Sequence, residues 1–386
     1  MRRRIWFLVN GDPFGGAETQ VARLAGWLSS RGDDVEVHTL LPNSEFKREL
    51  ARRGIEMRTA RMSVPRGVTA IASLTRTLRR QPPDVVISFL YQSVVAGRLA
   101  GALARVPVIV SSLRNEYIGP RRRGTVLRAT DRLSAATVVN SEEVAGALLD
   151  RGLLKAGQFE VIPNAVEVSE FDNSLEERER IRADLGFGPT TFVWLAAGRL
   201  WPQKDFGTLI TAFAKPSATF PDSVLIIAGE GPERESLMAE AAKLFVAERV
   251  RFLGYRRDIP RLMAAADALA LSSAWEGAPN VVLEALASRL PVVATSVGGV
   301  AEILPAEMRP YLSPPGDPDF LADAMMRLMA LGRSERRRLG DRGREVVESR
   351  FGLDEVGGRW LRLIERLSRE PQPARPSGAP GLQRES

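Results

Sequence analysis

The stretch IWFLVNGDPFGGAETQVARLAGWLSS, residues 5–30, decides the fold because its hydrophobic period changes in the middle. Its first five residues form an uninterrupted apolar run, which is typical of a buried β-strand. After a glycine-rich turn, Val21, Leu24, Ala25 and Leu28 recur at helical spacing, and Gly32 follows as a helix-ending residue. The stretch therefore predicts a strand, a turn and a helix, the unit that repeats in parallel α/β sheets.

The same unit recurs along the chain to about residue 350. In the first half we predict strands at residues 5–9, 35–39, 85–89, 108–111, 137–140 and 160–162. In the second half we predict them at residues 192–196, 224–228, 250–253, 268–271 and 292–295. This alternation predicts an α/β fold with two Rossmann-like, doubly wound domains that face a central cleft.

The pattern breaks once, in a charged and strand-poor stretch that we assign to a linker, residues 167–190. This break divides the chain into an N-terminal domain, residues 1–166, and a C-terminal domain, residues 191–353. We expect helices at residues 318–331, 334–349 and 354–367, the last within a segment 354–369 that packs back on the N-terminal domain. The proline-rich tail, residues 370–386, is predicted to be disordered.

Composition excludes several classes of protein. No cysteine occurs among the 386 residues, which excludes disulfides, thiol nucleophiles and cysteine-ligated metal sites. The apolar run after the first arginines is too short for a secretory signal, and no window approaches the roughly 18 apolar residues of a membrane span. We expect a cytoplasmic protein, either free or held peripherally on the inner face of the cytoplasmic membrane.

Positive charge is concentrated in the first half of the chain. Residues 1–166 contain 25 basic and 15 acidic side chains, a net charge of +10, whereas the remainder contains 29 and 32, a net charge of −3. Such a surplus suits nucleic acid, anionic lipid headgroups or a phosphorylated substrate. A solvated, arginine-rich surface explains any single cluster equally well.

Ligands of open α/β sheets bind beyond the carboxyl ends of the strands, so the strand-to-helix turns are the candidate sites. At the first turn, Gly15 and Gly16 let backbone amides approach a phosphate, although a tight turn alone also explains two glycines. Gly198 opens a turn that places Arg199 and Lys204 five residues apart. Arg199 can grip oxygens in a bidentate fork and Lys204 adds a point charge, a pair suited to neutralising a diphosphate.

A third glycine turn, Gly229-Glu230-Gly231, follows another buried strand. A dinucleotide fingerprint would place glycine at position 234, where this chain has Arg234. Nicotinamide binding is therefore disfavoured, and the two glycines are kept as candidates for a phosphate-binding turn.

The fourth turn carries two carboxylates eight positions apart, Glu276 before a predicted helix and Glu284 one turn inside it. The residues between them that could approach a ligand are Gly277, Ala278, Pro279 and Asn280. Free amides at the start of that helix would attract an anion, and the two carboxylates could hold sugar hydroxyls on either side of a diphosphate. A helix-dipole contact and a solvated glutamate are the structural alternative.

Taken together and in order, these elements resemble glycosyltransferase family 4, retaining enzymes of the GT-B fold. The match extends from the first strand to about residue 365. Its motifs are GGAE at residues 15–18, VNSEEV at 139–144, VIPNAV at 161–166, GRLWPQKD at 198–205, AGEGPE at 228–233, EGAPNVVLEAL at 276–286 and PPGDPDFLA at 314–322.

The resemblance implies roles at the matching positions. Arg199 and Lys204 would bind the nucleotide diphosphate, Glu276 the hydroxyls of the donor sugar, and Glu284 the ribose. Gly15 and Gly16 would face the diphosphate across the cleft. A nucleotide-sugar is then a co-substrate, no tightly bound cofactor is needed, and in the front-face mechanism a donor phosphate oxygen accepts the acceptor's proton.

One position departs from the family. Many relatives place a histidine after the strand near residues 107–112, where this chain offers Arg114 and Asn115. We hypothesise that one of these two residues contacts the acceptor or the donor. The only histidine, His38, lies on a predicted buried strand and is expected to be structural, and Asp317-Pro318-Asp319 is interpreted as a helix cap, so we expect no metal site.

Three hypotheses about function follow. The first is sugar transfer with retention to a saccharide or a polyprenyl-diphosphate-linked saccharide, with the basic domain on an anionic membrane. The second is a regulator or partner subunit that binds a sugar nucleotide without turnover. The third, nucleic-acid binding, is disfavoured because the arginine clusters lack a recognised motif or aromatic platform.

Overall fold

A computed structural model describes residues 2–11, 14–59, 67–172 and 175–369 of the chain. The predicted tail, residues 370–386, lies outside the described residues, as do Asp12 and Pro13 of the first turn.

The first half folds around a parallel sheet of seven strands in the order β3-β2-β1-β4-β5-β6-β7. Its strands are β1 (Arg4–Val9), β2 (Asp34–Thr39), β3 (Glu56–Thr59), β4 (Val85–Phe89), β5 (Val108–Leu113), β6 (Ala136–Val139) and β7 (Phe159–Val161). The connecting helices are α1 (Gly16–Ser30), α2 (Ser44–Arg52), α3 (Gly67–Arg80), α4 (Tyr91–Ala104), α5 (Arg121–Thr130) and α6 (Glu142–Asp150).

The second half folds around a parallel sheet of six strands in the order β10-β9-β8-β11-β12-β13. Its strands are β8 (Phe192–Ala197), β9 (Ser223–Ala228), β10 (Val250–Gly254), β11 (Ala268–Leu271), β12 (Val292–Thr295) and β13 (Leu312–Ser313). The helices are α7 (Leu175–Asp184), α8 (Phe206–Thr219), α9 (Arg234–Lys243), α10 (Ile259–Ala265), α11 (Asn280–Ala287), α12 (Val300–Ile303), α13 (Pro318–Ala330), α14 (Arg333–Arg350) and α15 (Leu353–Arg369).

The core lies on both faces of each sheet, as expected when helices cover a parallel sheet on both sides. In β8, Val193 and Leu195 join one buried cluster while Trp194 and Ala196 join another. This alternation follows from the two-residue period of a strand. The two doubly wound sheets confirm the predicted fold class.

Two strands were not predicted. β3 has the sequence EMRT and lies at the edge of the first sheet, where its side chains remain partly or fully exposed. β13 contains only two residues. Neither carries the apolar run by which the other strands were recognised, because an edge strand needs less burial.

The stretch 167–190, assigned to a linker from its charge, contains helix α7. Arg178 and Arg182 of this helix pair with Asp267, at 2.6 and 3.1 Å. Asp267 immediately precedes β11, so these ion pairs tie α7 to the second sheet. Helix α7 is therefore packed against the second half, and the described residues of the stretch contain no strand.

The chain passes between the two halves twice, near Val166 and near Phe351, and these two segments are hydrogen-bonded to each other. Val166 donates its N–H to the carbonyl of Phe351 at 2.9 Å, and Leu353 donates to the carbonyl of Val166 at 3.0 Å. Beyond this bridge, α15 returns to the first sheet, where Trp360 stacks on Phe89 with ring centroids 5.9 Å apart. The two halves are thus connected by these two segments, which are bonded to each other.

Candidate functional site

The turns that follow β1, β5, β8 and β11 converge in the cleft. The side-chain amide of Asn280, at the start of α11, donates to the carbonyl of Gly16 at 3.1 Å, which joins the two halves across 264 positions of sequence. Parallel strands place all their carboxyl ends at one edge of a sheet, so two sheets facing each other bring these turns together.

Lys204 and Glu276 form the central ion pair of this site. The Lys204 ammonium lies 2.5 Å from Oε1 of Glu276, and the side chains are 16% and 9% exposed. Ser273 donates its hydroxyl to the same carboxylate oxygen at 2.7 Å. Lys204 ends a short 3-10 helix after β8, and Glu276 lies in the turn between β11 and α11. The pair therefore offers an oriented cation and carboxylate at the edge of the second sheet.

Arg199 lies outside this pair. Its side chain is exposed, and the guanidinium lies 5.3 Å from the ring centroid of Trp201. The sequence predicts that Arg199 and Lys204 act together on a diphosphate. In the structure their side chains have different neighbours, Trp201 for Arg199 and Glu276 for Lys204. Arg199 nevertheless favours the charged form of Glu18, which belongs to α1 on the other side of the cleft.

Glu18 was missed as a candidate although it ends the GGAE motif. It is 3% exposed, and burial raises the pKa of its carboxyl group. Backbone N–H groups of Gly11 and Gly15 oppose that rise, and Gly11 donates to Oε1 of Glu18 at 3.3 Å. The buried carboxylate thus ties Gly11 to the start of α1, where Gly15 and the exposed Gly16 lie.

The third glycine turn has a structural explanation. A Cβ at Gly229 would lie 1.8 Å from the carbonyl oxygen of Gly198, and one at Gly231 would lie 2.3 Å from that of Leu200. Only glycine lets the turn after β9 pack this closely on the turn after β8. Gly229 and Gly231 therefore support the turn that carries Arg199 and Lys204.

Gly277 lies where the two halves touch. A Cβ there would lie 2.0 Å from the carbonyl oxygen of Arg114 and 2.9 Å from Nδ2 of Asn140. The carbonyl of Gly277 accepts a hydrogen bond from the amide of Gly299 at 2.6 Å. Gly277 thus sets the distance between the halves at the floor of the cleft.

The side chain of Arg114 packs within the N-terminal half. Its guanidinium lies 4.7 Å from the ring centroid of Phe89 and donates to the carbonyl of Ile162 at 3.3 Å. Burial lowers the pKa of Arg114 to about 9. The adjacent Asn115 accepts the amide of Tyr117 at 3.0 Å, and the Tyr117 ring lies 6.1 Å from Trp275 across the cleft. A contact of Arg114 or Asn115 with a ligand stays a hypothesis.

The start of α11 is held by side chains that sequence reasoning missed. Asn164 donates to the carbonyl of Ala278 at 2.6 Å and to the side chain of Asn280 at 2.7 Å. Gln20 also donates to Asn280, at 3.1 Å. Pro279, in an extended conformation, precedes the first helical residue. The helix therefore begins in a hydrogen-bonded junction rather than in open solvent.

Glu284 lies one turn inside α11, and its carboxylate accepts a hydrogen bond from Arg23 of α1 at 3.2 Å. Its side chain is 15% exposed. No motif marked Arg23, because its importance depends on a neighbour 261 positions away.

His38 lies outside the cleft. It is 4% exposed, and its ring stacks on Trp6 with centroids 3.9 Å apart. Burial lowers its pKa to about 4, so the ring is neutral at physiological pH.

Within the described ranges no group of three or more His, Cys, Asp or Glu side chains could hold a metal ion. Asp317 caps α13 by accepting the amide of Phe320 at 3.0 Å. None of the described helices is long and apolar enough to span a membrane.

Two family models match this chain, one for each half. The model described as "Glycosyltransferase Family 4" matches residues 14–170, and that described as "Glycosyl transferases group 1" matches residues 177–346. Together they include Gly15 and Gly16 of the first turn, the Lys204–Glu276 pair and Glu284.

Individual relatives agree with the family models. The chain is 26% identical over 286 residues to the UDP-Gal:alpha-D-GlcNAc-diphosphoundecaprenol alpha-1,3-galactosyltransferase of Escherichia coli, covering 69% of this chain and 72% of that protein. It is 27% identical to the lipopolysaccharide core biosynthesis glycosyltransferase LpsE of Rhizobium meliloti, covering 91% and 96%. The structure of Anabaena Alr3699/HepE in complex with UDP and glucose superimposes with a TM-score of 0.83 at 25% identity, covering 94% of this chain and all of that one.

Proposed function

The chain belongs to glycosyltransferase family 4, and from that premise we propose that it transfers a sugar from a nucleotide-sugar donor to a saccharide or a lipid-linked saccharide. The donor would be a UDP-sugar or GDP-mannose, and the sugar's anomeric configuration would be retained. The product would enter a cell-surface polysaccharide or glycolipid. The E. coli relative is named for a diphosphoundecaprenol-linked acceptor and the Rhizobium relative for lipopolysaccharide core biosynthesis, and both names support this choice.

The observation that carries the proposal is the Lys204–Glu276 pair at the cleft edge of the second sheet. Departure of a nucleoside diphosphate develops negative charge, which a fixed cation stabilises most in a partly dehydrated site. Lys204 would supply that charge and Arg199 would add a second cation at the rim. Glu276, whose Oε1 is held by Lys204 and Ser273, would accept hydrogen bonds from hydroxyl groups of the donor sugar with its other oxygen.

The remaining steps need no carboxylate nucleophile. Amides at the start of α11 favour an anion, because the first N–H groups of a helix lack partners within the helix. A donor phosphate oxygen would accept the proton of the acceptor hydroxyl on the face from which the diphosphate departs. Glu284 would bind the ribose hydroxyls and so hold the donor in that orientation.

The acceptor would be bound by the basic N-terminal half. Helix α5 begins with three consecutive arginines, and Arg123 lies 5.0 Å from the ring centroid of Tyr91, which leaves a cationic rim beside an aromatic ring. We propose a polyprenyl-diphosphate-linked saccharide as the acceptor and peripheral attachment to an anionic membrane at the inner face. Binding to phosphatidylglycerol vesicles but not to phosphatidylcholine vesicles at low salt would support the attachment, and equal partition would contradict it.

The test of the donor site begins with thermal unfolding in saturating UDP, GDP, ADP and TDP, since a ligand that binds only the folded state raises the melting temperature. The nucleotide that binds then names a panel of sugar donors, assayed with polyprenyl-diphosphate-linked N-acetylglucosamine. We expect Lys204→Met and Glu276→Gln to lower kcat/KM by about 10²-fold or more.

Lys215→Met is the matched control. Lys215 is half-exposed and pairs with Asp323 on the outer surface of the same half, so its loss should leave turnover unchanged.

Binding of a nucleotide without transfer to any acceptor would favour the regulator hypothesis. Product analysis by NMR would report the anomeric configuration, and turnover that EDTA abolishes would contradict a metal-independent reaction.

A further inference from the structure

A polar junction joins three segments where the two halves meet: helix α1, residues 164–165 and the first turns of α11. Gln20 pairs with both backbone groups of Ala165, accepting its N–H at 2.7 Å and donating to its carbonyl at 2.8 Å. Asn164 and Asn280 continue this network into α11. The side chains lie on one face of α1, because Gln20 and Arg23 are three positions apart.

Arg23 is the only charged member that α1 contributes to this junction among the described contacts. It is 3% exposed, and its guanidinium donates to the carbonyl of Ala165 at 3.0 Å and to Glu284 at 3.2 Å. The Nη2 atom of Arg23 that donates to Glu284 also lies 3.5 Å from Oε2 of Glu170. A buried guanidinium is costly unless its N–H groups are paired, so this geometry depends on these partners.

Only one oxygen of Glu284 is used in this contact. Arg23 donates to Oε1, and the side chain remains 15% exposed. Because the guanidinium is planar and is itself held by Ala165, it restricts the direction in which the carboxylate presents its second oxygen. Lys at this position could not hold both partners with a fixed plane.

We propose that Arg23 is a positioning residue for donor binding: it orients the Glu284 carboxylate from the opposite half of the molecule, so that Glu284 meets the ribose hydroxyls of the nucleotide. This inference rests on the proposed function, in which Glu284 binds ribose. It also makes the donor site depend on α1, since the nucleotide-binding half alone does not contain Arg23.

The experiment is a double-mutant cycle on nucleotide affinity, measured by calorimetry with UDP and with GDP. We expect Glu284→Gln and Arg23→Met each to raise the Kd of the nucleotide that binds by roughly tenfold. If Arg23 acts through Glu284, the double variant should bind no more weakly than Glu284→Gln alone. Independent roles would instead multiply to a loss of roughly a hundredfold, and that result would overturn the proposal, as would an unchanged Kd for Arg23→Met.

Arg53→Met is the control for damage to the segment that connects the two halves. Arg53 binds Glu167 and Glu170 of the same connecting segment, at 2.9 and 3.0 Å, and has no described contact with Glu284. Its variant should combine with Glu284→Gln multiplicatively. Arg23→Lys keeps the charge and provides a second variant should Arg23→Met fail to fold; an intermediate Kd is expected. If the wild-type protein binds neither UDP nor GDP, the proposed donor site fails, which is a different outcome from a multiplicative cycle.

Discussion

Replacing Gly277 by alanine should separate the two halves of the molecule at the floor of the cleft. The added Cβ would lie 2.0 Å from the carbonyl oxygen of Arg114. A close carbon–oxygen contact needs about 3.3 Å, so the halves must move apart by about 1.3 Å. The neighbouring atoms are backbone, which cannot rotate away as the end of a flexible side chain would.

A displacement of this size is large for group transfer. Misplacing reacting groups by about 1 Å costs about 10²-fold in rate, so we expect kcat to fall by that factor. Lys204, Glu276 and the start of α11 all belong to the second half, and their mutual distances need not change. Arg23, which is proposed to orient Glu284, belongs to the first half, so nucleotide affinity should fall by no more than the roughly tenfold expected for Arg23→Met, which is less than the fall in kcat.

The assay is release of nucleoside diphosphate at saturating donor and acceptor, with calorimetry of the nucleotide in parallel. Gly146→Ala is the control, because a Cβ on Gly146 of α6 would meet nothing within 4 Å. Unchanged kcat in Gly277→Ala would refute the role of this contact in setting the cleft. Nucleotide affinity that falls as far as kcat would place the damage in the donor site instead.

Three further predictions concern stability. Burial lowers the pKa of His38 to about 4, so at acidic pH a proton binds the unfolded chain more tightly than the folded protein. The free energy of unfolding should therefore fall by about 1.4 kcal/mol per pH unit as the pH drops from about 6.5 toward 4. His38→Gln should flatten this slope in urea unfolding. Gly229→Ala should lower the free energy of unfolding by about 2 kcal/mol or more, because the added Cβ would lie 1.8 Å from the carbonyl oxygen of Gly198. A urea midpoint equal to that of the wild-type protein would contradict this. The carboxylate of Glu302 accepts hydrogen bonds from the backbone amides of Glu142 and Glu143 at the start of α6, at 3.0 and 2.9 Å. Glu302→Ala should therefore lower the free energy of unfolding by about 1 kcal/mol in the same measurement. An unchanged free energy of unfolding would mean that this cap does not stabilise the protein.

Local pattern was sufficient for most of the fold. The predicted bounds of β4, β11 and β12 match the structure because each is a short apolar run ended by a turn. β3 was missed because its residues are polar, and α7 was read as linker because its surface is charged. Its attachment to the second sheet depends on Asp267, more than eighty positions along the chain.

The candidate site was predictable in its residue types and less so in its contacts. Lys204 and Glu276 were singled out separately by their turns, and the structure joins them in one ion pair. Gly229 and Gly231 stay predicted ligand-binding residues, and the structure adds a second reason for glycine there, because each has a backbone carbonyl where a Cβ would lie. Glu18, Gln20 and Arg23 were overlooked, since a polar residue on an amphipathic helix carries no mark of what it faces.

The sequence by itself determined the two α/β halves, the order of their turns and the family to which those turns belong. Periodicity and turn chemistry act over a few residues, so they can be read without knowing the fold. Only the tertiary structure decided that Arg114 packs on Phe89, that Gly277 sets the cleft, and that Arg23 reaches Glu284. The contacts of Gly277 and Arg23 depend on how the two sheets meet at their carboxyl edges, and that of Arg114 depends on side-chain packing between neighbouring strands of the first sheet. No local window of sequence contains either relation.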